Sequence, residues 1–459
     1  MKVIKNCDSR VTKIINIKKL KDDTQYRLSR YIFPYSYDGR FLIAHMLSNE
    51  VVELSECEWN AFNAISTSGV RCGYLRENGL EALALSRYIV ESDYDEVKQY
   101  KQLVFLLKTI SGAKKGLNAY TILPTTGCNA RCVYCYEEGY VIKTMTSETA
   151  DRLIDFICEN RSSDTVKLTW FGGEPLANVE AIRRICSGLR EHGVQFKSNM
   201  ITNASLVTKE LAHEAKELWN LNKVQVSLDG AREDYDERKR YVSPQKYNYD
   251  AVLRSIGYLV DEGFKVLLRC NYDKDNLVGL KNMVDDIAER FGSKENLRLY
   301  FHILFQQNDK EDYADQLRAI DDVCAYAESL GLLREGALRS SFRTNYCMAD
   351  NMENSIVVAP DGALYSCEHL PEGGTWGNLF DGIKDEVKYN ELKSEKPLEK
   401  ECAECSFLPF CTSFRKKNCP DIPKYCRSEK QIEIERHLRS LIRHGNTETE
   451  NEDEKLQDC

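Results

Sequence analysis

Between residues 117 and 305, short apolar runs alternate strictly with amphipathic stretches. The runs end at Thr126, Phe171, Thr202, Leu228, Asn271 and Leu304, and the stretches between them include Ser147–Glu159, Val179–His192, Thr208–Trp219, Asp250–Glu262 and Leu277–Arg290. Strand-length apolar runs separated by helical periodicity predict βα units. Six such units predict a parallel sheet that right-handed crossovers curl towards a barrel. A closed TIM barrel needs eight units, so the pattern predicts an α/β fold with a partial (β/α)6 barrel. Chemistry in such sheets collects at the carboxyl ends of strands.

Residues 1–110 read as a unit of their own. Arg40–Leu54 predicts a β-hairpin turning at Ser48–Asn49–Glu50, Ser55 with Glu58 predicts a capping box opening a helix, and Leu83–Val90 reads as a closing strand. Strands with a few helices in this length predict a small winged-helix-like module. After the barrel, 306–344 reads as a helical connector, 345–443 as a cysteine-rich domain with a closing helix, and 444–459 as a disordered acidic tail with little apolar surface.

Composition narrows the function classes. The formal net charge of −9 supplies no basic stripe for nucleic acid, and no apolar run reaches membrane-spanning length. The N-terminal residues lack the apolar core of a secretory signal, so a cytoplasmic location is expected. In a reducing compartment clustered cysteines are read first as metal ligands. Of 18 cysteines, eight (Cys7, Cys57, Cys72, Cys158, Cys186, Cys270, Cys324, Cys459) stand alone and read as small apolar fillers or surface thiols.

The segment T-T-G-C-N-A-R-C-V-Y-C-Y (125–136) follows the first apolar run. Cys128, Cys132 and Cys135 gather three thiolates without a fourth ligand. Structural zinc wants four, whereas a [4Fe–4S] cluster on three cysteines leaves one iron open to a small molecule. This triplet, with Tyr134 before its third cysteine, resembles the signature of the radical S-adenosylmethionine (SAM) superfamily. The resemblance implies that the open iron chelates the amino and carboxylate groups of SAM, and that Tyr134 contacts its adenine.

Later turns are similar to family motifs. W-F-G-G-E-P (170–175) resembles the G-G-E motif, implying that Gly172, Gly173 and Glu174 border the SAM ammonium. I-T-N-A (201–204) resembles a T-N-G turn at Asn203, with Ala204 in place of glycine. V-S-L-D-G (226–230) resembles an S-x-D-G turn, implying that Ser227 points at the ribose and Asp229 lines the cavity. The family's arginine for the SAM carboxylate falls among Arg238, Lys239 and Arg240. Arg240 is the favoured member, and a solvated charged loop is the bland alternative for this trio.

A second set comprises Cys347, Cys367 (in a G-x4-C run from Gly362), Cys402, Cys405, Cys411, Cys419 and Cys426. Zinc competes here, because C-x2-C pairs often serve zinc ribbons. Seven cysteines in this order resemble the SPASM extension, which houses two auxiliary [4Fe–4S] clusters and brings the expected total to three. By that resemblance Cys402, Cys405, Cys411 and Cys426 hold the distal cluster, and Cys347, Cys367 and Cys419 the nearer one. Seven residues precede Cys419 where the family usually has three, and no eighth cysteine is evident. The nearer cluster then keeps an open iron able to bind a substrate thiolate, or takes a non-cysteine or distant eighth ligand.

The N-terminal module resembles the RiPP recognition element, which captures a leader peptide as an added edge strand. The combination is similar to thioether-forming peptide maturases of the sactionine and SCIFF type. It implies a leader-containing precursor peptide as partner and an electron donor such as flavodoxin or ferredoxin. Thioether formation on a cysteine-containing peptide is the leading expectation. Formylglycine formation, as in anaerobic sulfatase maturases, and a non-enzymatic metal-binding peptide carrier are the rivals. No general base is singled out among the many carboxylates.

Overall fold

The computed structural model describes residues 1–5, 8–111, 116–292, 294–304, 310–333, 352–370, 374–394, 398, 400–410 and 426–444. All six expected strands form, as Ala119–Ile122, Thr165–Trp170, Gln195–Thr202, Leu221–Ser227, Lys265–Tyr272 and Leu297–Ile303. They lie side by side in chain order, each parallel to the next. The sixth ends the sheet, which is therefore open. The first strand stops at Ile122, short of its apolar run, because Pro124 has no N–H for a ladder.

Alternation places the core. In Gln195–Thr202, Phe196, Ser198, Met200 and Thr202 are buried towards the helices while Lys197, Asn199 and Ile201 take the opposite face. Helices Ser147–Asn160, Val179–Glu191, Lys209–Leu218, Tyr249–Asp261 and Leu280–Phe291 cover the outer face, close to the expected stretches. Thr146, Thr208 and Asn248 cap three of them by accepting the N–H of Thr149, Leu211 and Ala251. Each cap contributes about 1 kcal/mol.

Two features depart from the pattern. Arg232–Lys239, which ends in two of the three cations for which a solvated charged loop is the alternative, is a helix whose Tyr235, Arg238 and Lys239 are buried. Spacings of three and four put these side chains on one helical face. Further on, Ser355–Val358 pairs parallel with Ala119–Ile122 and leads into antiparallel Ala363–Tyr365, Gly377–Asn378 and Gly382–Ile383. The cysteine-rich segment is thus built onto the free edge of the barrel sheet. The connector contains helices Lys310–Ala319 and Asp321–Ser329. The expected acidic tail beyond His444 lies outside the described residues.

The N-terminal module holds two antiparallel sheets. One has the order Lys2–Lys5, Glu50–Leu54, Arg40–His45, Ile32–Tyr37, and includes the expected hairpin with Asn49 at φ 59. The other comprises Val70–Arg71, Gln25–Leu28 and Ile89–Glu91. Both halves of the Ser55–Glu58 capping box are made. The run Leu83–Val90 divides instead of forming one strand: helix Glu81–Leu85 ends, Arg87 turns at φ 68, and Ile89–Glu91 follows. The module shares a core with the C-terminal region, where Ile4, Val11, Leu42 and Leu103 pack with Phe407, Leu408, Ile434 and Leu438.

Candidate active site at the cysteine loop

The loop carrying Cys128, Cys132 and Cys135 leaves the first strand and crosses the carboxyl ends of its neighbours. It is clamped by backbone. Glu174 N–H donates to Gly127 O (3.0 Å), and Gly173 N–H to Thr125 O (3.2 Å). On the other side, Arg131 N–H donates to Lys239 O (3.0 Å), Val133 N–H to Arg238 O (3.0 Å) and Val242 N–H to Asn129 O (2.9 Å). The glycines of the G-G-E turn are explained by this packing. A Cβ on Gly172, at φ 114, would lie 2.3 Å from Thr125 O, and one on Gly173 would lie 2.4 Å from Gly127 O.

Glu174 is fully buried. Its carboxylate accepts from Thr202 Oγ1 (2.8 Å), Asn203 N (2.8 Å) and Leu176 N (3.1 Å), tying the second strand's turn to the third's. Burial pushes its pKa up, and these bonds offset part of the rise. Asn203 in turn donates to Asn129 Oδ1 (2.9 Å) and lies 3.8 Å from Cys128 Sγ. Ala204 occupies the left-handed region at φ 59, where glycine is ordinarily favoured.

The three thiols are desolvated, and burial raises the pKa of each, that of Cys128 up to about 12 with the Glu174 carboxylate adding to the rise. Thiols so placed ionise when a cation joins them. Among the described residues, no three His, Cys, Asp or Glu side chains converge on one metal ion.

At the ends of the fourth and fifth strands lies a buried polar network. Lys239 Nζ meets Asp229 Oδ2 at 2.8 Å and donates to Ser227 Oγ (2.7 Å) and Tyr134 Oη (2.9 Å). Tyr134 donates to Asp229, and Asn271 donates to Asp229 Oδ1 through both N (3.1 Å) and Nδ2 (2.9 Å). Burial opposes ionisation of both Lys239 and Asp229, but each outweighs it for the other: the carboxyl is held below its ordinary range and the ammonium well above. Burial and the Asp229 charge drive the Tyr134 hydroxyl well above its usual pKa. Arg238 forms a second buried pair, with Asp273 (3.1 and 2.6 Å).

The structure thus brings together Tyr134, Gly172, Gly173, Glu174, Asn203, Ser227 and Asp229 around the cysteine loop. Arg240 is not among them. It caps the charged helix at φ 47, exposed, with its Nε donating to Glu237 O at 3.2 Å. Lys239 is the cation that faces inward. Its helical spacing from Tyr235 was the available signal, and Asn271 and Asp273 were detectable only as polar residues at a strand end.

Cys367 lies beside this site. The Tyr136 ring, next to Cys135, stacks on His369 with centroids 4.1 Å apart, and Tyr140 donates to His369 O. Cys402 and Cys405 sit in one turn against the core shared with the N-terminal module. Cys347, Cys411 and Cys419 lie outside the described residues, as does the side chain of Cys426, which opens helix Cys426–His444.

Comparison with known proteins agrees with this geometry. The Radical SAM superfamily profile matches residues 122–291, from the first strand through the fifth βα unit. The chain is 30% identical over 251 residues to a probable GTP 3′,8-cyclase of Methanopyrus kandleri, covering 53% of this chain and 73% of that protein. The fold is similar to native anSMEcpe with bound AdoMet (TM-score 0.56, 18% identity, 71% of this chain and 98% of that one). It is also similar to Streptococcus suis SuiB bound to precursor peptide SuiA (TM-score 0.51, 17% identity, 88% and 98%). Among the described residues no helix is long and apolar enough to cross a membrane. The match over the cysteine loop and the strand-end turns, joined to the buried thiol trio, shows that the chain belongs to the radical SAM superfamily and is a radical SAM enzyme.

Proposed function

We propose that this enzyme acts on a ribosomally made, cysteine-containing precursor peptide and joins a cysteine sulfur to a peptide carbon as a thioether. The reading is carried chiefly by the contact between the two cysteine regions, where the turn of Cys367 and His369 packs on Tyr136 of the Cys128–Cys135 loop. A cysteine-rich redox region against the radical site suits a reaction that oxidises its substrate. A [4Fe–4S] cluster held by Cys128, Cys132 and Cys135 supplies, when bound, the electron that splits SAM into methionine and a 5′-deoxyadenosyl radical. Cys347, Cys367 and Cys419 would hold a second cluster, and Cys402, Cys405, Cys411 and Cys426 a third.

The chain's own groups prepare that chemistry. The Lys239–Asp229 pair cancels two charges at the mouth and fixes Ser227 and Tyr134 as neutral partners for a nucleoside. The Glu174 and Asn203 bonds hold the cysteine loop against the second and third strands. The fold is similar to that of SuiB over 88% of this chain, and SuiB's complex with a precursor peptide supports a peptide substrate here. The strand Lys2–Lys5 forms an edge of the four-stranded sheet, a suitable place for an extended leader peptide to add.

The balance is one C–H and one S–H broken for one C–S bond formed. The hydrogen atom goes to the 5′ carbon as 5′-deoxyadenosine, the thiol proton to solvent, and the one remaining electron would pass to an auxiliary cluster held by the C-terminal cysteines. Anaerobically reconstituted enzyme, incubated with SAM, a reductant and a short cysteine-rich peptide encoded beside its gene, should release 5′-deoxyadenosine. The peptide should lose the mass of two hydrogens per crosslink. An aldehyde at the cysteine would replace this reading with formylglycine formation, and an unaltered peptide set from the flanking genes would remove it.

A further inference from the structure

We propose that the inner face of the barrel carries a substrate carboxylate site, built from the Arg269 guanidinium and the His302 imidazole on the fifth and sixth strands. The proposal names the substrate chemistry of the reaction above and rests on that reading. Register and alternation place both residues. Asn271 pairs with His302 and Arg269 with Tyr300, and Tyr300 Oη donates to Gln225 Oε1 (3.1 Å) across the inner face. Arg269 and Asn271, two apart on one strand, and Tyr300 and His302, two apart on the next, share that side of the sheet.

Arg269 is held ready. Its Nε donates to Asn271 Oδ1 (2.9 Å), and Asn271 is itself fixed by Asp229. That leaves both terminal nitrogens of the fork without a hydrogen bond among the described residues, on a side chain that is only partly buried. A planar fork of this kind matches a carboxylate with two parallel bonds. His302 Nδ1 is shut off from water and has no partner among the described residues. A buried polar atom in that condition calls for a ligand or an ordered water. The charged groups that bear on the imidazole among the described residues, Arg269 and Lys430, are both positive, and the Ile303 backbone also meets the ring.

The SAM carboxylate is the rival occupant. It must reach iron at the loop leaving the first strand, whereas Arg269 and His302 stand at the far edge of the sheet, on the last two strands, and Arg269 lies deeper along its strand than Asn271. A substrate side chain entering the barrel meets no such constraint. Aspartate or glutamate beside the modified residue, or the peptide's C-terminus, offers the same chemistry.

The test is an NMR titration of the full, anaerobically reconstituted chain labelled with 15N-imidazole histidine, its His302 signal assigned with His302→Gln. The probes are N-acetylglutamate amide, its neutral isostere N-acetylglutamine amide, and N-acetylglycine, which carries only a terminal carboxylate. A His302 shift with either acid but not with the isostere supports the site, and the acid that acts identifies the source. Arg269→Gln should weaken that acid at least about tenfold, with partial recovery in Arg269→Lys. Equal response to acid and isostere, no response to either acid, or a tenfold loss of SAM affinity in Arg269→Gln would overturn the proposal. The titration involves no radical step, so its failure leaves the thioether reading standing, and a failed peptide reaction leaves the titration interpretable.

Discussion

Lys239 shows how much one buried charge organises. It holds Asp229, Ser227 and Tyr134 together in a space closed to water, where Asp229 is fully buried. Removing one member of a buried ion pair costs about 3–5 kcal/mol, because the partner remains buried and unpaired. Lys239→Met should therefore destabilise by about that amount in denaturant unfolding, and Lys239→Met with Asp229→Asn should cost markedly less. A double variant as unstable as the sum of its singles would contradict this role. The glycines offer a second residue-scale prediction. Gly173→Ala drives a Cβ into Gly127 O, which belongs to the cysteine loop. That loop must shift, so the purified variant should carry one cluster's worth of iron less than wild type, by iron assay and visible absorbance.

Among elements, the joint between the N-terminal sheet and helix Cys426–His444 matters most. Leu438 is fully buried in the shared core, and Leu438→Ala should cost about 2–5 kcal/mol. Arg40 bridges the same joint, donating to Glu53 (2.6 and 3.0 Å) and to Ile442 O (3.0 Å). The Arg40 hydrogen bond holds the Glu53 carboxyl below its usual range. A depressed folded pKa stabilises at pH above the unfolded value and is lost as pH falls through the folded one. Glu53→Gln should thus cost up to about 1 kcal/mol at neutral pH, and almost nothing once acid protonates the wild-type carboxyl.

The sequence reveals such elements unevenly. The five amphipathic helices were legible because their periodicity is local, and so was the capping box at Ser55. The cysteine loop was legible because its three thiols fall within eight residues. Helix Arg232–Lys239 is not legible in the sequence because seven of its eight residues are charged, a pattern that shows no apolar face until a buried partner is known. Strand Ser355–Val358 has only four residues, and nothing local says that its partner is Ala119–Ile122, more than two hundred residues earlier. Arg240 was favoured over Lys239 for the same reason: only the helix decides which of two adjacent cations turns inward.

For the whole molecule, the packing changes how function should be tested. Residues 1–110 cannot be removed as an independent leader-binding unit without baring Phe407, Leu408, Ile434 and Leu438. Their deletion should yield aggregated or iron-poor protein, so loss of peptide binding in that variant would be uninformative. A point change at the sheet edge is the cleaner probe. The central claim is that Cys128, Cys132 and Cys135 hold the iron that cleaves SAM. Its most direct test is the yield of 5′-deoxyadenosine from SAM and reductant in the variant with alanine at all three positions, compared with wild type after the same anaerobic reconstitution. The account predicts that the variant's yield falls to the enzyme-free background while the wild type turns over. Undiminished release of 5′-deoxyadenosine from the variant would contradict it.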